Sequence, residues 1–272
     1  MDARAAVELL EARGDEESFR EAQLALDAEL AEGEDAGLLV DRGYIHQIRG
    51  TNELREAIRW YERALELDPS FTSAHYQLVG AYLLLGQRHD VIDRYERRIA
   101  EASGDLLAYR CLARAYVAAG RWADASATIE AGRRLGPGDV VLLEIEGSLL
   151  AGTGHPDEAL AVWQRTLELD ANSIAGHYSR AFLLERLGRL AEAEAEWEAI
   201  IAWSRERGNE LDTEWPQREL ARIRGSNRDR TLNPARAGAR PRPAPSGRGR
   251  AAAARAFVSV DFGCAWLTLE HV

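Results

Sequence analysis

The chain's 272 residues are 46% hydrophobic and 29% charged, a composition that folds and supplies one large domain or two small ones. Its 34 basic residues, all arginine, stand against 45 acidic ones for a net charge of −11, which excludes lysine chemistry such as a Schiff base or a phosphate-loop lysine. Two cysteines exclude a disulfide framework or a cysteine-rich zinc domain, and no apolar run reaches the ~20 residues that cross a bilayer.

In chain order, residues 3–36 read as a degenerate helix–turn–helix unit with Gly14, Ala22 and Leu26 at its key places. This stretch is acidic: residues 1–36 hold 12 Asp and Glu but only 3 Arg. Five clearer units follow. Residues 37–71 carry Gly50, Ala57 and Tyr61 and close at Pro69. Residues 72–105 carry Tyr82, Gly86, Val91 and Tyr95. Residues 106–139 carry Tyr116, Gly120, Ala125 and Ile129 and close at Pro137. Residues 140–173 carry Leu150, Gly154, Ala159 and Trp163, and residues 174–207 carry Leu184, Gly188, Ala193 and Trp197. The last four glycines are 34 residues apart, and Gly50 lies 36 before Gly86, which places a two-residue insertion at Thr51 and Asn52. Within a unit, apolar residues recur at three- and four-residue spacing, so each half is a helix, and the glycine supplies the left-handed residue that ends the first. The small Ala marks close approach of two helices, and the aromatic beyond it fills the gap. One such hairpin cannot bury its apolar face alone; stacked hairpins can.

Residues 208–225 form a capping segment. Its core, 214–224 (EWPQRELARIR), reads as a solvating helix with Trp215, Leu220 and Ile223 toward the last repeat. The tail, 226–272, is Arg-, Pro-, Ala- and Gly-rich and reads as disordered. Its arginines suit a solvated linker, or an acidic surface such as the N-terminal unit. Residues 256–269 (AFVSVDFGCAWLTL) are apolar and β-like, and fit either a docking strand or a stretch of no structural consequence.

The 34-residue pattern resembles the tetratricopeptide repeat, most closely over 52–69 (NELREAIRWYERALELDP). The resemblance covers about 1–225. It implies an all-α, right-handed α-solenoid of helix–turn–helix repeats in which the first helix of each hairpin lines a concave groove. Ser103 and Ala171 stand where that pattern has Pro, and Arg42, Glu146 and Arg180 where it has Leu. The helical phase is unaffected.

No catalytic constellation stands out: there is no His-Glu-x-x-His, no Gly-x-Ser-x-Gly, no Walker loop and no dinucleotide fingerprint. Cys111 reads as a buried, inert thiol, and His75 and His177, at equivalent places in two repeats, read as core or interface residues rather than metal ligands. At fixed offsets before each turn glycine, the groove rows contain Tyr44, Gln47, Tyr76, Arg110, Arg114, Glu144, Tyr178 and Phe182. Arg110 and Arg114 share a helix face, and an arginine pair framed by aromatics suits a peptide with an acidic group and apolar anchors. Alternatively Glu144, one repeat on, neutralises Arg110. The lysine–asparagine clamp by which some tetratricopeptide proteins hold a chaperone's acidic C-terminus is not expected, because Val40, Tyr44, Gln77 and Gly80 occupy the early clamp-like places.

The expected function is a non-catalytic protein–protein interaction scaffold that binds a peptide or helix of a partner in the groove. An accessory enzyme subunit and a self-assembling scaffold are the alternatives. No cofactor or metal is expected, no nucleic acid on the acidic body, and no membrane. The first twenty residues lack the apolar core of a secretion signal. Together with the all-arginine usage of a GC-rich coding sequence, this points to a cytoplasmic, bacterial protein.

Overall fold

The computed structural model describes residues 2–13, 15–49, 53–171, 173–206 and 213–232. Among these residues there are thirteen helices and no strand: α1 (Ala3–Arg13), α2 (Glu16–Glu32), α3 (Ala36–Arg49), α4 (Leu54–Leu67), α5 (Thr72–Leu84), α6 (Arg88–Glu101), α7 (Leu106–Ala118), α8 (Trp122–Leu135), α9 (Val140–Gly152), α10 (Pro156–Leu169), α11 (Ile174–Arg186), α12 (Leu190–Glu206) and α13 (Glu214–Leu232). Consecutive helices pair as hairpins from α1–α2 to α11–α12, which makes the fold an all-α solenoid of helix–turn–helix repeats. The described residues fall into two compact units, one up to Leu135 (α1–α8) and one from Gly136 (α9–α13).

One turn recurs between hairpin helices. Gly86, Gly120, Gly154 and Gly188 have φ of 73°, 68°, 85° and 74°, a region that L side chains rarely adopt. The next residue's N–H then reaches back to the carbonyl four residues before the glycine: Gln87 to Tyr82, Arg121 to Tyr116, His155 to Leu150 and Arg189 to Leu184, each at 2.9 Å. This bond closes a helix C-terminus that would otherwise leave carbonyls unpaired. Four helix starts, those of α2, α7, α9 and α11, are capped by side chains: Asp15 accepts from Ser18 N–H at 2.8 Å, Asp105 from Ala108 at 3.1 Å, Asp139 from Leu142 at 2.9 Å and Ser173 from Gly176 at 3.2 Å.

In the first unit, Leu39, Leu54, Ala57, Tyr61, Ala64, Ala74, Leu78 and Ala81 join α3, α4 and α5 in one core cluster. The helices approach so closely at Gly43 that an added Cβ would lie 2.5 Å from Tyr61 Cε1. In the second unit Gly147 plays the same part, and its missing Cβ would fall on the Trp163 indole. Trp197 and Ile200 of α12, with Ile223 of α13, are fully buried there. In both hairpins a glycine of the first helix faces the aromatic of the second, the helix that also carries the expected alanine, Ala57 or Ala159.

The last helix outruns its expected end at Arg224 and continues through Gly225 to Leu232. A docked helix is already nucleated, so each further residue adds a backbone hydrogen bond at little entropic cost, and a single glycine opposes this by only about 1 kcal/mol. Residues 226–232, expected as the start of the disordered tail, are therefore helical; Gly14, Gly50, the insertion at 51–52 and the rest of that tail, 233–272 with its 256–269 segment, lie outside the described residues.

Candidate functional site

In the first unit, Tyr76 on α5 meets Arg110 and Arg114 on α7. Arg110 Nη1 donates to the Tyr76 hydroxyl at 3.5 Å, and the Arg114 guanidinium carbon lies 5.0 Å from the centre of the Tyr76 ring, a cation–π contact. The three differ in access. Arg114 is 2% exposed and Tyr76 8%, whereas Arg110 is half-buried. Burial pushes the Tyr76 hydroxyl up to about 12, so it stays protonated beside the guanidinium groups. Between the arginines, Cys111 is fully buried and its thiol is pushed up to about 12, again by burial, which makes it unreactive.

Two further groove-row residues of this unit are engaged in packing. Tyr44, 6% exposed, donates its hydroxyl hydrogen to Glu11 Oε1 at 2.7 Å and ties α3 to α1. Gln47 accepts from the Tyr61 hydroxyl at 2.9 Å inside the α3–α4 hairpin.

In the second unit, Glu144 is half-buried on α9 and accepts from the Ser173 hydroxyl at 2.5 Å. Tyr178 and Phe182 stack at 6.4 Å and form one aromatic cluster with Trp197 and Trp215, whose rings meet edge to face at 5.1 Å. Trp215 of α13 also lies 5.8 Å from Tyr178 and 5.9 Å from Phe182, so both groove-row aromatics receive the last helix. Glu185 holds this end further, accepting from Trp197 Nε1 at 2.8 Å and from Arg222. The structure therefore assembles Tyr76 with Arg110 and Arg114, and Tyr178 with Phe182.

Three partly buried polar clusters escaped the sequence reading. On α3, Arg42 is 6% exposed; it donates to Asp27 at 2.9 Å and to His46 Nε2 at 2.7 Å, which leaves His46 Nδ1 to donate to Glu53 at 2.7 Å. On α6, Arg98 donates to Asp105 at 2.5 Å, to the Pro69 carbonyl at 3.0 Å and to His75 Nε2 at 2.8 Å. His75 Nδ1, 3.0 Å from the Tyr95 hydroxyl, then carries the ring proton. In the second unit, Glu196 accepts from both His177 and Arg180 at 2.7 Å. Burial alone would raise the Glu196 carboxyl, but these two bonds outweigh it and hold the group below the usual carboxylate range. The available signal was an Arg and a His three or four residues apart on one helix, as in Arg42 with His46 and His177 with Arg180. Their acidic partners lie on other helices at no fixed spacing.

No group of three or more His, Cys, Asp or Glu side chains that could hold a metal occurs among the described residues, and no described helix is long and apolar enough to cross a membrane.

A family model described as a TPR repeat matches residues 50–86. Among solved structures, TTC0263, a thermophilic TPR protein of Thermus thermophilus, is similar at 24% identity over 63% of this chain and 91% of its own, with a TM-score of 0.52. A tetratricopeptide repeat protein of Parabacteroides merdae is similar at 15% identity over 94% of this chain and 98% of its own, with a TM-score of 0.50. None of the curated proteins is a significant match. Helical hairpins closed by a repeated glycine turn define an α-solenoid repeat protein. Residues 50–86 match the tetratricopeptide repeat, and the chain as a whole shares the fold of tetratricopeptide repeat proteins, a fold that serves as a scaffold for protein–protein interaction.

Proposed function

We propose that this chain is a non-catalytic scaffold that holds a peptide or helix of a partner protein against the first helices of its hairpins, with Arg110 anchoring an acidic group of the ligand. The observation that supports this is the division of labour around Tyr76. Arg114 is sequestered on the ring face, whereas Arg110 stays half-exposed with its guanidinium steered by the Tyr76 hydroxyl. A partly desolvated arginine beside an aromatic hydroxyl is a good carboxylate receptor, because its planar fork pairs bidentately.

The test is affinity capture from the source organism's lysate with two baits, wild type and Arg110→Glu. Circular dichroism on both excludes unfolding. Arg114 is left unchanged because reversing a buried charge endangers the fold. A partner held by wild type and weakened about tenfold or more by the variant supports the reading. Equal capture by both baits removes Arg110 from the binding surface.

A further inference from the structure

The second unit ends on an unmatched helix. Helices α9 to α12 form two hairpins, and α13 follows with no mate among the described residues. On the α12–α13 pair lies an open cleft of about 510 Å³, with the nearly buried Ile201 and Leu220 and the exposed Ala202 and Ala221 as its apolar lining, and Arg205, Gln217 and the Glu198–Arg224 ion pair as its polar lining. A cavity of about 150 Å³ accommodates benzene, so this cleft has room for about three ring-sized side chains. The alanines let another segment approach closely.

We infer that the cleft is filled by residues 257–269 of the same chain. This segment carries Phe257, Val258, Val260, Phe262, Trp266, Leu267 and Leu269 with a single charge, Asp261. Left in water, that much apolar surface is unfavourable at about 25 cal/mol per Å². The 24 residues between Leu232 and Phe257 can span at most about 80 Å, so the segment is tethered within reach of the cleft and needs no second chain to meet it. Arg205 on the cleft wall offers Asp261 a counter-charge.

The chain's own cysteines make the test direct. Cys264 lies in the segment, and Cys111, the other cysteine, is fully buried. Ala221→Cys places a thiol at the cleft, and Glu158→Cys places one at an exposed control position on α10. Each full-length variant is oxidised mildly at low protein concentration, and the disulfide to Cys264 is followed by mass spectrometry. The expected result is an intrachain disulfide forming at least about tenfold faster from position 221 than from position 158. Adding Phe262→Asp and Trp266→Asp to the Ala221→Cys chain should bring its rate down to that of the control. Equal rates from the two positions overturn the inference, since they describe a segment with no preferred seat. A disulfide formed only between chains overturns it too, because the cleft then takes the segment of a second copy.

Discussion

Single atoms decide the hairpin interiors. At Gly43 and Gly147 a methyl group would collide with a buried aromatic ring, whereas at Gly80, in mid-helix, a Cβ meets nothing within 4 Å. Gly147→Ala is therefore expected to destabilise the protein by about 1–3 kcal/mol through overpacking, and Gly80→Ala to stabilise it by about 0.5–1 kcal/mol through helix propensity. Urea denaturation of both variants measures the pair, and equal shifts would refute the argument. Two titrating residues of the first unit pull in opposite directions. Burial pushes the Asp41 carboxyl up to about 6; Arg4 opposes the shift, and Asp35 and Glu29 add to it. Its folded value exceeds the unfolded one, so ionised Asp41 costs stability above pH 6, and the cost is relieved as pH falls from 6 toward 4. Asp41→Asn should thus stabilise the unit by on the order of 1 kcal/mol at pH 7.5, solvent screening allowed for, and the advantage should vanish by pH 4. His75 does the reverse. Burial lowers it, the Pro69 carbonyl opposes that, and Arg98 adds to it. The stability it contributes is complete above the unfolded value of 6.5 and lost as pH falls below it. Denaturation midpoints of wild type and His75→Gln across pH 7.5 to 5 should converge on acidification; parallel curves would dismiss His75 as a source of the slope.

At the scale of helices, α13 depends on one ring. Trp215 contacts Tyr178, Phe182 and Trp197, and truncating a packed aromatic costs about 3–5 kcal/mol. Trp215→Ala is expected to release α13, seen as fast amide hydrogen exchange over 214–224 while α9 to α11 stay protected. Retained protection of α13 would mean that Leu220, Ile223 and the Arg222–Glu185 pair suffice. The helices themselves were legible because each repeat states them again. Gly86, Gly120, Gly154 and Gly188 carry the positive φ that their spacing predicts, and the alanine–aromatic pairs are buried together. The polar clusters were not legible, since Arg98 reaches His75 across 23 residues and Asp105 across 7, separations that follow no period. The groove rows were legible only as rows. A fixed offset selects Tyr178 and Phe182 but cannot show that α13 lies against them, and it does not distinguish half-exposed Arg110 from buried Arg114.

For the molecule as a whole, two compact units predict unfolding in more than one step. Each unit contains its own reporter: the fully buried Cys111 thiol in the first, and, once Trp60 and Trp122 of the first unit are replaced by Phe, the Trp197–Trp215 pair in the second. Thiol labelling and tryptophan fluorescence followed along the same urea gradient should give separate midpoints, and coincident curves would establish a single cooperative block. Stability in such an array is a sum of hairpin and interface terms rather than the property of one core. A weak interface therefore sets where the chain opens first, and the Asp41 and His75 substitutions should move only the Cys111 curve.

The glycine turn has a consequence for how such a chain changes length. Each turn is closed by the same backbone bond, from the residue after the glycine to the carbonyl four before it, and asks nothing of the side chains on either flank. Two gene copies misaligned by one repeat and rejoined at equivalent turn positions would encode a chain with one hairpin more or fewer, every turn still closed. Insertions of other lengths break the spacing, as the two residues at Thr51 and Asn52 do between Gly50 and Gly86. Exchange between equivalent turns thus changes such genes in steps of 34 codons, the spacing of Gly86, Gly120, Gly154 and Gly188.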